Sequence, residues 1–218
     1  MEKPKPADYR RHRSPGRPTR KQAEVRNDEL LDTALDMFLE NGFERTTIEG
    51  ITAAVGMAKR TVYARYGDKE TLFRTALQRA IDDWIVPIDR LREAETEDFE
   101  ASLLEIGRIL VANILKPQGL RLMRITNAES IRLPDLGDYT VRLGTRPTIE
   151  YLSDLFNRRL PGRFSEAGEV EAIAYAFLHL VVGGPASISA WGVKLSAEDV
   201  ARQTQYGVRL FLHGIMHG

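Results

Sequence analysis

In "TTIEGITAAVGMAKRTVYARYGDKETLF", Thr46 to Phe73, two short apolar-periodic segments are separated by a single glycine and followed by a Gly-Asp break. Thr46 and Glu49 have the S/T-x-x-E spacing of a capping box, which predicts a helix from about Thr47 to Gly56. A second short helix is predicted from about Lys59 to Arg65, and Asp68 is placed to cap a longer one beginning at Lys69. Ile48, Ile51, Met57 and Val62 are available to fill the space between the two short helices, and Thr52 and Gly56 leave their crossing uncrowded. Upstream, Leu31, Ala34, Leu35, Phe38 and Leu39 form one apolar stripe on a helix that Asn41-Gly42 ends. A long helix, a short one, a glycine turn and a second short one make the arrangement of a helix-turn-helix, whose second short helix enters the major groove of DNA.

Outward from this stretch the pattern stays helical. The helix from Lys69 carries apolar pairs at Leu72/Phe73, Ala76/Leu77, Ala80/Ile81 and Trp84/Ile85. Pro87 removes a backbone donor, so Trp84 to Arg92 is expected to connect two domains. Beyond it, helices are predicted at roughly 97–115, 119–132, 135–159, 166–191 and 196–216, with no convincing strand and no internal repeat. The expected fold class is therefore all-α.

The chain has 218 residues, enough for a substantial core, with 43% hydrophobic and 28% charged residues. No apolar run approaching the ~20 residues of a bilayer span is read, and no apolar signal region follows the basic N-terminus, so a cytoplasmic location is expected. The absence of cysteine excludes disulfides, thiolate metal sites and cysteine nucleophiles. Formal net charge is zero, but residues 1–21 hold eight basic and two acidic residues and four of the ten prolines. So basic and apolar-poor a leader is read as a disordered arm facing a polyanion, with a solubilising tail as the alternative.

The stretch "GFERTTIEGITAAVGMAKRTVYARYGDKETLF" resembles the DNA-binding region of the TetR family of bacterial transcriptional regulators, strongly over about residues 22–73. More loosely, "AESIRLPDL" is similar to the AefR-like subgroup of C-terminal domains. The resemblance implies a DNA-binding domain at 22–82 and a helical ligand-binding and dimerisation domain at 83–218. Tyr63 then occupies the position whose hydroxyl reaches DNA, Tyr66 packs the short helix, and Thr47 and Lys69 meet phosphates. Lys59, Arg60 and Thr61 open the recognition helix, where base edges are read, and Arg65 lies within reach of the backbone. Ala58 stands where the family most often has a serine or threonine cap, which costs on the order of 1 kcal/mol. Arg17, in Gly16-Arg17-Pro18, is the leader's candidate for an A/T-rich minor groove, beside generic attraction to phosphates.

In the second domain, polar or aromatic residues inside apolar helical stretches are candidate ligand contacts: Arg124, Asn127, Glu129, Tyr139, Tyr175, His179 and Trp191. Each is also consistent with a satisfied core or interface residue. The Gly183-Gly184-Pro185 break predicts a kink beside His179 that either opens a cavity or accommodates a partner subunit. Apolar stripes on the last two helices, Ile173, Phe177 and Leu180 on one and Val208, Phe211, Leu212 and Ile215 on the other, are the candidate dimer interface. Phosphate loops, H-E-x-x-H, G-x-S-x-G and dinucleotide fingerprints are all missing, and the four histidines are scattered, so neither an enzyme nor a metal or cofactor site is expected. The expected function is a ligand-responsive repressor that binds a palindromic operator as a homodimer and is released by a hydrophobic or amphipathic effector. The alternative is a non-specific architectural DNA-binding protein.

Overall fold

In the computed structural model, residues 19–164, 166 and 168–217 are described, and they form helices with no strand among them. The chain divides into two compact units, one ending at Phe73 and one beginning at Arg74. The division falls inside a helix rather than after residue 82. Beyond Phe73 that helix bonds later elements, through Arg74 to Asp135 and Tyr139 to Asp82.

The first unit contains α1 (Arg20–Arg45), α2 (Ile48–Ala54), α3 (Lys59–Tyr66) and the start of α4 (Lys69–Trp84). Helix α1 opens inside the segment read as a disordered arm. Thr19 Oγ1 accepts from Gln22 N at 3.3 Å while Gln22 Oε1 accepts from Thr19 N at 2.9 Å, and this reciprocal cap starts the helix at Arg20. Residues 1–18, and Arg17 with them, lie outside the described residues. The chain leaves helical geometry at Gly42 (φ 78°, ψ 164°), where Asn41-Gly42 is expected to end the helix.

The cap of α2 is Thr47, whose Oγ1 accepts from Gly50 N at 3.1 Å, and not Thr46. Thr46 is buried and donates its hydroxyl to Met37 O and Gly42 O, so it closes the end of α1 instead of opening α2. Between α2 and α3 the turn needs a left-handed residue, which Gly56 supplies at φ 63°. Leu30, Leu31, Ala34, Leu35 and Phe38 of α1 are buried, as are Ile48 and Ile51 of α2 and Val62 of α3. Phe38, Phe43 and Phe73 form a mutually packed aromatic trio, with centroids 4.8–5.7 Å apart.

The second unit continues α4 and adds α5 (Ile88–Arg92), α6 (Phe99–Ile114), α7 (Pro117–Glu129), α8 (Pro134–Thr140), α9 (Arg146–Arg159), α10 (Glu169–Leu178), α11 (Gly184–Ala190) and α12 (Ala197–His217). Its core centres on Phe156, which meets Phe99, Phe177 and Phe211 at 5.4–6.3 Å. Tyr151 Oη donates to Leu91 O at 2.9 Å and joins Arg158 on the Glu95 carboxylate, tying α9 to the chain after α5. Partial burial pushes Glu95 up, but these hydrogen bonds outweigh it and hold the carboxyl below its ordinary range.

Two expected single helices, 135–159 and 166–191, are each interrupted by a wide π turn, Val141–Thr145 and His179–Gly183. Both turns end two residues before a proline, Pro147 and Pro185. A proline has no N–H to give the carbonyl one turn back, and its ring collides with that carbonyl, so widening the preceding turn relieves the clash without ending the helix. By length and composition, Glu169–Ala190 is also apolar enough to cross a membrane, which the sequence reading did not expect. Ala174, Phe177, Val181 and Ala186 of this stretch are nonetheless buried within the second unit.

Candidate nucleic-acid interface and cavity

In the first unit α3 is anchored by one side and open on the other. Val62 and Tyr66 face inward, and the Tyr66 hydroxyl hydrogen-bonds Asn27 of α1. Lys59, Arg60, Thr61, Tyr63 and Arg65 are exposed, and so is Thr47 at the start of α2. Val62 and Tyr66, one turn apart, are therefore the side that packs, and a cationic and aromatic surface is left outward. The cap position of α3, Ala58, makes no side-chain hydrogen bond.

The two lysines among the candidates, Lys59 and Lys69, are hydrogen-bonded within the unit. Lys59 pairs with Glu49 of α2, a contact that lowers the Glu49 pKa and raises that of Lys59, and its ammonium sits 5.4 Å from the Tyr63 ring. Lys69 Nζ donates to Phe43 O at 2.9 Å and lies 4.3 Å from the Phe43 ring. Lys69 thus braces the last residues of α1, past the break at Gly42, a role that its position at a helix N-terminus does not reveal.

The second unit holds a cavity of about 280 Å³. Its walls come from the end of α4 (Ile81, Trp84) and the next residue, Ile85, from α6 and α7, and from both π turns, with Gly144 and Thr145 on one and Val182 on the other. The sequence break at Gly183-Gly184-Pro185 thus lies beside a cavity, and Pro147 forms its unanticipated counterpart.

Of the ligand candidates only Asn127 lines this cavity. Arg124 caps the end of α11, donating to Ala190 O at 2.7 Å and Ser189 O at 3.0 Å. Glu129 pairs with Arg132 at 2.9 Å, and Tyr139 donates to Asp82. Tyr175 and His179 contact each other with ring centroids 6.3 Å apart, His179 is exposed, and Trp191 is 80% exposed. Polar character within an apolar stretch marks capping and surface groups as readily as cavity groups, and these six lie outside the lining of this cavity. Asn113, in the apolar run of α6, carries the same signal and does line the cavity; it was missed with Trp84.

The interface candidates also divide. Phe177, Val208 and Phe211 are buried in the unit's own core, which removes them from a subunit interface. Ile173, Leu212 and Ile215 are half-buried, and Leu180 is exposed. Helix α12 has its outward apolar side one step round from the expected stripe, at Tyr206 and Leu210, 68% and 48% exposed.

Comparison with known proteins accounts for both units. Residues 30–76 match the profile of bacterial regulatory proteins of the tetR family, and residues 101–214 match that of AefR-like transcriptional repressor C-terminal domains. The HTH-type transcriptional repressor ComR of Escherichia coli K12 is 29% identical over 168 residues, 75% of this chain and 78% of that protein. A TetR-family regulator from Mesorhizobium loti has the same fold at TM-score 0.74 and 22% identity, over 90% of this chain and 98% of that one. The flavonoid-responsive regulator FrrA has it at TM-score 0.65 and 24% identity, over 88% and 97%. With one profile on each unit and the second alone spanning more than half of the sequence, this chain belongs to the TetR family of DNA-binding transcriptional regulators, with a C-terminal domain of the AefR-like repressor type.

Proposed function

We propose that this regulator is a cytoplasmic homodimeric repressor that binds a palindromic operator through α3 and is released when a small molecule fills the cavity of its second unit. The observation that carries the reading is that α4, whose first residue Lys69 braces the first unit, ends in the wall of that cavity at Trp84. A ligand that favours one position of this end acts on the helix that leads to the DNA-reading elements, as a coupling between two sites requires.

In this reading Arg60, Thr61 and Tyr63 approach base edges, while Thr47, Lys59 and Arg65 approach phosphates, Lys59 exchanging Glu49 for a phosphate oxygen. Lys69 keeps two carbonyl partners and contributes mainly by bracing the end of α1. The dimer face is drawn from Leu180, Tyr206 and Leu210, with Ile173, Leu212 and Ile215 at its margin.

Fluorescence anisotropy of the purified protein on its own upstream intergenic DNA, with shuffled competitor at two salt concentrations, tests the proposal. A palindromic site that outcompetes shuffled DNA by about a thousandfold or more supports it. Tyr63→Ala is then expected to weaken operator binding and leave binding to shuffled DNA nearly unchanged. Equal competition by shuffled DNA rejects operator recognition in that region and favours a backbone-binding architectural role.

A further inference from the structure

The effector's chemistry is readable from the cavity. None of the side chains lining it is charged; the polar ones are threonines and two asparagines, Asn113 and Asn127. A carboxylate, phosphate or ammonium held against this lining gives up part of its hydration with no opposite charge to replace it. At about 280 Å³ the cavity lies just below the ~300–1,000 Å³ range for ligand pockets.

One place on the wall joins two elements through hydrogen bonds. Trp84 Nε1 donates to Asn113 O at 3.2 Å, and Asn113 Nδ2 donates back to Trp84 O at 2.9 Å. The pair fastens the last residue of α4 to α6. By contrast, the hydroxyls of Thr140 and Thr148 donate to carbonyls four residues back in the chain, at Leu136 and Gly144. The pair is closely fitted: a Cβ at Gly119 would lie 2.7 Å from both Trp84 Nε1 and Ile114 O and 2.9 Å from Asn113 O, so a side chain there would press on the indole and on the end of α6 together.

We propose that the cavity takes a neutral, mainly apolar molecule bearing a hydrogen-bonding group, that this group is received at the Trp84–Asn113 pair, and that opening the pair frees the C-terminal end of α4. The inference rests on the reading of this cavity as the effector site. It makes the pair a positioning element: the ligand takes up the Asn113 amide, and the main-chain carbonyl at Trp84 loses its tie to α6. The nearest cation that bonds the pair is Lys116, exposed, with Nζ 3.3 Å from Asn113 Oδ1 and absent from the cavity lining.

Two fluorescent probes with one ring skeleton test this on the full-length protein: N-phenyl-1-naphthylamine, which is neutral, and 1-anilinonaphthalene-8-sulfonate, which is anionic. The neutral probe is expected to bind about tenfold or more tighter. Its binding should also move the Trp84 indole signal in proton–nitrogen correlation spectra, assigned with Trp191→Phe. Gly119→Ala should move the same signal in the same direction without any probe. Asn113→Leu, which keeps the apolar shape, should still bind the neutral probe but show no further movement of the indole signal. Equal or tighter binding of the sulfonate, which would implicate Lys116, overturns the neutral class, as does failure of the neutral probe to bind. A Trp84 signal that ignores the bound probe overturns the pair's role. DNA release is scored separately by anisotropy: probe binding that moves Trp84 without releasing operator leaves this assignment standing and rejects the ligand-responsive repressor reading.

Discussion

In the first unit helix boundaries are marked by short-range groups: Thr19 and Thr47 cap α1 and α2, Asp68 Oδ1 accepts from Thr71 N at 2.7 Å to cap α4, and Gly42 and Gly67 have positive φ where α1 and α3 break. The second unit uses such caps as well, Asp98 on α6 and Ser196 on α12, but there two helices are also carried past a proline by a π turn, and a cavity lies where those turns face the end of α4. The difference follows from what each unit has to present. A DNA-reading element needs one rigid outward face, which short, tightly closed helices supply. A cavity needs walls that do not close on themselves, and a widened turn prevents adjacent turns from stacking fully.

The comparison breaks most visibly if the two units are not separate cooperative bodies. Phe38 and Phe156 are each fully buried, one in each aromatic core. Truncating either to alanine is expected to cost about 3–5 kcal/mol. In calorimetry Phe38→Ala should lower one transition and Phe156→Ala the other. A single transition lowered equally by both would mean that the continuous helix α4 makes the chain unfold as one body.

The π turns carry the second expectation. Pro147→Ala and Pro185→Ala restore an N–H and remove the ring that opposes regular geometry, so the widened turns are free to tighten. Stability should change by no more than about 1 kcal/mol, because the gained hydrogen bond is set against lost packing at the cavity wall. Binding of the neutral naphthylamine probe should nevertheless fall several-fold in each variant. Undiminished probe binding would show that the turns border the cavity without shaping it.

How far the sequence discloses each unit follows the same division. The stretch from Thr46 to Phe73 announces α2, α3 and α4 because their signals lie within three or four residues of where they act. Even there, two adjacent threonines exchanged roles, since burial of Thr46 against Met37 O and Gly42 O is decided by a helix that comes earlier in the chain. The Phe177, Val208 and Phe211 stripe shows two apolar faces but not which neighbour covers them. That neighbour includes Phe156, which the aromatic contacts reveal and spacing alone does not. Trp84 and Asn113 lie 29 residues apart, and no local pattern signals that they meet.

A smaller effect sharpens the contrast from the first unit. Ala58 is the one N-terminal position among α1, α2 and α3 without a side-chain cap. Ala58→Ser is expected to stabilise α3 by about 1 kcal/mol, visible as slower amide exchange through Lys59–Tyr66. Operator affinity should rise slightly if part of the binding free energy now orders this helix. Unchanged exchange would mean that the packing of Val62 and Tyr66 already holds the helix closed.

The smallest expected effect lies at Tyr139, which donates to Asp82 Oδ1 at 2.8 Å and joins α8 to α4 within the second unit. Desolvation, and then the hydrogen bond and charge of Asp82, push its phenol from 10.0 up to about 12. A raised value in the folded state means that the folded protein holds the proton more tightly than the unfolded chain. The corresponding stabilisation is complete below about pH 10 and is lost as pH rises through about 12. Tyr139→Phe should therefore cost about 1 kcal/mol or less at neutral pH, given the exposure of the pair, and should flatten the fall in stability between pH 10 and 12. Chemical denaturation across that window checks both. An alkaline limb as steep in Tyr139→Phe as in the parent would assign the loss to other groups, and the join between α8 and α4 would then rest on Arg74–Asp135 and apolar packing.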